Sequence, residues 1–177
     1  METGMLMIAA VFFAVILIPI LLLIQNTKKQ SKRLFNELKA TVANNNGLLT
    51  QHTEQNNFAL GIDNVHKTIY FLKMTETGKT SEVIDLSLVK TCAMNTTTRR
   101  IKKEKGFEEL IEKIELLFIF KNNNHTKHIE LYNEAESLLN NELTIGKQWR
   151  KIVEDIISEK HTISIQKNDR KNIGAVA

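Results

Sequence analysis

Apolar residues run almost unbroken from Met5 to Ile24 (MLMIAAVFFAVILIPILLLI), then recur every three to four residues, then alternate, and return to helical spacing near the C-terminus. The first run is about as long as the roughly 20 residues a helix needs to cross the hydrocarbon core of a bilayer. No charged side chain lies between Thr3 and Thr27. The pattern predicts a transmembrane helix, with residues 1–27 as an anchor, and Pro19 is tolerated inside such a helix as a kink. A cleavable signal peptide would need a basic start, a shorter apolar core and a small-residue cleavage site. Here the only charge before the run is Glu2, and the run is followed by QNTKKQSKR. Between Gln30 and Asn45, the residues Leu34, Phe35, Leu38 and Val42 recur at helical spacing and predict an amphipathic juxtamembrane helix over 28–46. Asn44-Asn45-Asn46-Gly47 ends it, because Asn and Gly accept left-handed backbone angles. The spacing leaves open whether Leu34 and Phe35 rest on the membrane or on the following domain.

From Phe58 the period changes to two. FALGID and TIYFLKM flank the polar Asn64-Val65-His66-Lys67 and predict an antiparallel hairpin. A second turn at Glu76-Thr77-Gly78-Lys79 leads into SEVIDLSLVKTCAMN, which supplies one or two more strands, with a break near Asp85-Leu86-Ser87. A basic loop follows, carrying Arg99, Arg100, Lys102, Lys103 and Lys105. Phe107 to Ile114 (FEELIEKI) has helical spacing and predicts a helical turn before the continuous apolar strand KIELLFIFK. Asn122-Asn123-Asn124 then turns the chain into HIELY. Ile145, Trp149, Ile152, Val153, Ile156 and Ile157 form one face of a C-terminal amphipathic helix. Burying Trp149 against the sheet would remove on the order of 200 Å² from water.

These elements define an α+β chain. It has a transmembrane helix and an antiparallel sheet or split barrel of about 6–7 short strands, capped by the C-terminal helix. The strand-rich domain spans 47–160, and residues 161–177 read as a flexible tail.

The formal charge of +4 is concentrated beside the anchor. Residues 41–177 carry 19 basic and 18 acidic side chains, so the domain is nearly neutral and a nucleic-acid function is disfavoured. Lys28, Lys29, Lys32, Arg33 and Lys39 follow the span, whereas no Lys or Arg precedes it. The positive-inside rule therefore predicts a single-pass inner-membrane protein with its N-terminus outside and its domain in the cytosol. A lone cysteine, Cys92, is compatible with a reducing compartment and reads as a small buried residue. The triplets Asn95-Thr96-Thr97 and Asn124-His125-Thr126 would accept glycans only outside the cytosol.

The succession GIDNVHKTIYFL, SEVIDLSLVKTC, KIELLFIF with HIELYN, and the Trp149 helix resembles small membrane-anchored bacterial proteins with a pleckstrin-homology-like domain. The likeness covers about Phe58 to Lys160 and is one of topology, with no exact motif and no functional residues to transfer. Lipid-binding members of the broader class place basic residues between the first two strands. That turn here offers only His66 and Lys67.

Catalytic signatures are absent from the sequence. Gly78-Lys79-Thr80 lacks the glycine a phosphate loop needs five residues earlier, where Lys73 stands. His125 and His128 have no third ligand nearby. Glu108, Glu109, Glu112 and Glu115, interleaved with basic residues, read as a solvated face, and Tyr70, Phe71, Phe118 and Phe120 as core. No enzyme, metal or cofactor is expected. The expectation is a membrane-tethered interaction module that presents its domain to a protein partner through a strand edge or groove. One alternative is an anionic-lipid reader using Lys28, Lys29, Lys32, Arg33, Arg99, Arg100, Lys102, Lys103 and Lys105. The other is an extracytoplasmic pilin-like assembly subunit.

Overall fold

In the computed structural model the backbone is described for residues 2–75, 78–103, 106–122 and 125–173. Side chains are described for 12–19, 21–22, 29–75, 78–103, 106–122 and 125–158. The chain begins as one helix, α1 (Glu2–Asn44), which includes Pro19. Among the described residues no helix is long and apolar enough to cross a membrane. The expected span falls in part outside the described side chains, at residues 5–11, 20 and 23–24.

After α1 come β1 (Gln51–Glu54), β2 (Phe58–Asp63), β3 (Thr68–Thr75) and β4 (Gly78–Asp85), an antiparallel meander in that order. A second antiparallel meander joins β5 (Val89–Lys103), β6 (Gly106–Phe120) and β7 (Thr126–Asn133). The last element is α2 (Glu142–Ile173), which continues past Lys160 into residues expected as a tail. The fold is thus α+β, with two antiparallel sheets and a C-terminal helix.

All six residues of β2 are buried, because the strand is covered on both faces. Phe58, Leu60 and Ile62 join Ile69 and Phe71 of β3 in a core shared with Cys92, Ile114, Leu116, Phe118, Ile129 and Leu131 of the second sheet. Ile145, Trp149 and Val153 of α2 close this core, and the Trp149 indole Nε1 donates to Thr53 Oγ1 on β1 at 2.9 Å. On the other face, Leu34, Leu38 and Val42 of α1 pack on Ala59, Tyr70 and Leu72, with Phe35 and Leu49 beside them. The helix lies this close because Gly61 has no side chain: a Cβ there would sit 2.5 Å from Leu49 Cδ1 and 3.0 Å from Leu38 Cδ2. The question left open by the spacing is resolved, since Leu34 and Phe35 lie on the domain.

Two expectations are corrected. Arg99, Arg100, Lys102 and Lys103 lie not in a loop but at the end of β5, Lys105 falling outside the described residues, and FEELIEKI is not a helical turn but the start of β6. The register explains the second error. Thr97 faces Lys113 and Thr98 faces Ile111, so Glu112 is an extra, bulged residue. The bulge shifts the two-residue alternation, leaving Phe107, Leu110, Ile111 and Ile114 at spacings that imitate a helix. The strand β1, all polar (QHTE), is an edge strand that periodicity missed.

Candidate membrane-proximal surface

The end of the domain at which α1 arrives is defined by what surrounds Gln30. A cleft of about 530 Å³ is lined by Gln30, by Asn56 and Asn57 of the β1–β2 turn, and by residues 136–140 and Glu142 at the start of α2. Met74, near the end of β3, shares a second cleft of about 280 Å³ with Lys29, Gln30, Arg33, Leu34 and Glu37. At the opposite end of the docked helix, Gly47 approaches the Tyr70 hydroxyl and the Asp63 carboxylate.

The α1 cations reach water. Lys29, Lys32 and Arg33 are exposed; the Lys28 side chain lies outside the described residues. Arg33 Nε pairs with Glu37 Oε1 at 3.3 Å, and Lys79 of β4 reaches Glu37 Oε2 at 2.9 Å. The Lys79 hydrogen bond holds the Glu37 carboxyl below its ordinary pKa.

The other basic cluster lies on the β5–β6 hairpin, which extends beyond the last β7 partner, Asn133 opposite Lys113. Its charges are largely answered from the facing strand. Arg99 meets Glu112 at 3.4 Å and Glu134 at 2.6 Å, Arg100 meets Glu109 at 3.5 Å, and Lys103 pairs with Glu108. Lys102 is exposed, and Lys105 lies outside the described residues. Among the described residues no carboxylate pairs with cations of both clusters.

Sequence reasoning missed a buried charge cluster. Lys73 is 3% exposed, and its Nζ donates to Glu130 Oε1 at 2.6 Å and lies 2.8 Å from Glu136 Oε2. Lys113 contacts Glu130 Oε2 at 3.0 Å and Glu115 Oε1 at 2.7 Å. Burial pushes the Glu130 carboxyl up, but hydrogen bonds and charge from Lys73 and Lys113 outweigh it and leave the pKa lowered. The Glu115 hydrogen bond, which outweighs desolvation, raises the pKa of Lys113. The legible signal was a lysine inside the apolar strand TIYFLKM. Chemically the cluster is a clamp: it ties β3 to β7 and, through Glu136, to the β7–α2 loop.

At the far end, Asp63 is fully buried. Its carboxylate accepts from the backbone amides of Leu48 (2.6 Å), Val65 (2.8 Å) and His66 (3.0 Å), and from His66 Nδ1 (2.7 Å). Burial raises the pKa of this carboxyl, yet the donors lower it further, to about 2. This one side chain shapes the β2–β3 turn and fixes the chain leaving α1.

Cys92 is buried, and desolvation, followed by the nearby Glu154, pushes its thiol up to about 12, so that the thiol form is favoured. His128 Nδ1 lies 3.7 Å from Glu115 Oε1, while the ring of His125 stands 5.7 Å from that of Phe120. Among the described residues no group of three His, Cys, Asp or Glu is placed to hold a metal, and every buried side-chain nitrogen and oxygen has a partner. No family model matches the chain, and no curated protein or solved structure is significantly similar to it.

Proposed function

We propose that the chain is a membrane-tethered, non-catalytic interaction module that holds a pleckstrin-homology-like domain against the cytoplasmic leaflet and presents it to a protein partner. One observation carries the reading: α1 changes character along a single helix. Phe12, Phe13, Val15, Ile16, Leu17, Ile18, Leu21 and Leu22, which fall on all sides, are 48–69% exposed, whereas Leu34, Leu38 and Val42 are at most 2% exposed. A helix apolar all round needs lipid or protein around it, and among the described residues none covers residues 12–19, 21 and 22. The lower half is docked, so the domain is held in one orientation relative to that segment rather than hung on a linker.

Four strands, then three, then a C-terminal helix support the pleckstrin-homology-like assignment. The edge strand β4, with Lys79, Glu82 and a partly exposed Val83, offers a backbone edge of the kind that extended peptides extend. The anionic-lipid reading is weakened by the hairpin's own carboxylates, which neutralise most of its described cations.

Alkaline extraction of membranes tests the tether. The full chain is expected in the pellet and a chain beginning at residue 28 in the supernatant, with a reporter fused after Ala177 active only in the cytosol. Full-length protein released at high pH overturns the anchor. A photo-crosslinker at Val83 that gives no discrete adduct in cells overturns the partner reading.

A further inference from the structure

We infer that the β7–α2 loop is a second membrane contact, with Leu138 and Leu139 entering the interfacial layer of the leaflet from which α1 emerges. The inference rests on the tether proposed above and deepens it. Leu138 is 92% exposed and Leu139 40%, the former the most exposed large apolar side chain among the described residues. Loop slackness does not explain this exposure. Glu136 is held by Lys73 at 2.8 Å, the Glu136 amide donates to Asn133 O at 3.0 Å, and the Asn140 amide donates to Glu142 Oε2 at 2.6 Å. The two leucines therefore sit on a short span clamped on both sides.

Position names the occupant. The loop and Gln30 line the same cleft. Gln30 is six residues past Ile24, the last residue of the apolar run, which at 1.5 Å per residue places it about 9 Å beyond the hydrocarbon edge. The headgroup layer of one leaflet is roughly 5–8 Å deep. Gln30 therefore stands just outside that layer, and a leucine that extends from its level toward the bilayer enters it, as the apolar side chains of interfacial segments do. Lys29 and Lys32, exposed on the neighbouring turn of α1, suit the phosphate zone. The polar rim of the cleft, Asn56, Asn57 and Asn140, suits a hydrated headgroup region better than the apolar groove a protein helix would need.

The experiment uses the full chain reconstituted in phosphatidylcholine–phosphatidylglycerol vesicles. Leu138→Cys, Phe12→Cys and Val65→Cys each carry an environment-sensitive fluorophore, and buried Cys92 stays unlabelled. Val65 is exposed on the β2–β3 turn, at the end away from Gln30, and reports water. Lipids bearing a nitroxide near the headgroup are expected to quench the Leu138 label several-fold more than the Val65 label. If the Phe12 label is quenched by lipids with a nitroxide deep in the acyl chain and the Leu138 label behaves like Val65, the second contact is wrong and the tether stands. If the Phe12 label is also unquenched, the tether itself is wrong and this inference goes with it.

Discussion

Replacing Leu38 by alanine tests whether α1 belongs to the domain or merely leans on it. Leu38 is fully buried between the helix and β2, its Cδ2 3.0 Å from where a Cβ on Gly61 would sit, within the smaller core. Truncation loses the transfer free energy of the removed carbons and leaves a cavity that a helix clamped on both sides by Leu34 and Val42 cannot fill. The expected cost is about 3–4 kcal/mol, or a fall in Tm of roughly 10 °C for a domain of this size. The signal is well placed. Trp149 is the only tryptophan, and it lies in the other core. The cores share β2 and β3, whose residues alternate between them: Leu60 and Phe71 point one way, Ala59, Tyr70 and Leu72 the other. Guanidinium unfolding of the full chain in detergent, followed by Trp149 fluorescence, is therefore expected to report the loss across the shared strands. Leu48→Ala, at a 63% exposed site, is the control and should stay within about 0.5 kcal/mol of the parent. Gly61→Ala approaches the same interface from the sheet side and should cost about 1–3 kcal/mol by overpacking. A Leu38→Ala transition at the parental midpoint would show that α1 peels off independently, and the fixed orientation of the domain would be lost with it.

Acid should weaken the fold through Asp63. Its folded pKa of about 2 lies below the ordinary 3.8, so its stabilisation is fully present above about pH 5 and disappears as the pH falls through 2. The size is roughly 2 kcal/mol, and Asp63→Asn should flatten that part of a stability-versus-pH curve; an unchanged curve refutes the assignment. Lys73→Met removes the buried cation between Glu130 and Glu136. Glu130 keeps Lys113 and both carboxylates are about a quarter exposed, so the loss should be about 2–3 kcal/mol, at the low end for breaking a buried pair. Adding Glu136→Gln should recover part of it in a double-mutant cycle, and strict additivity would mean the contact is not formed. On the hairpin, Arg100→Glu with Lys103→Glu should change binding of the full chain to anionic vesicles less than about twofold, because Glu109 and Glu108 already offset these two charges. A large, salt-sensitive loss of binding in co-sedimentation would restore the lipid-reader alternative.

How much of this was legible follows from which physical signal each feature leaves along the chain. Paired strands that bury one or both faces announce themselves, as FALGID, TIYFLKM and KIELLFIF do, and so does the Trp149 helix. QHTE buries almost nothing and forms β1 only because β2 offers a partner, so no pattern betrays it. The bulge at Glu112 is similarly silent, and it alone turns an alternating strand into an apparent helix. The pairing of the basic residues was illegible for a related reason. Arg100 and Glu109 are nine residues apart, and only the hairpin register sets them face to face, so a run of cations looked free when most of its described members were answered. Leu138 illustrates the converse. A single exposed leucine carries no information by itself, and in the sequence it is one apolar letter in a polar loop. It acquires meaning from three facts that no local window contains: the Lys73 clamp on Glu136, the Glu142 clamp on Asn140, and the arrival of α1 at Gln30 in the same cleft. The surface most worth testing is thus legible only after the strands have brought residues 30, 73 and 138 to one end of the domain.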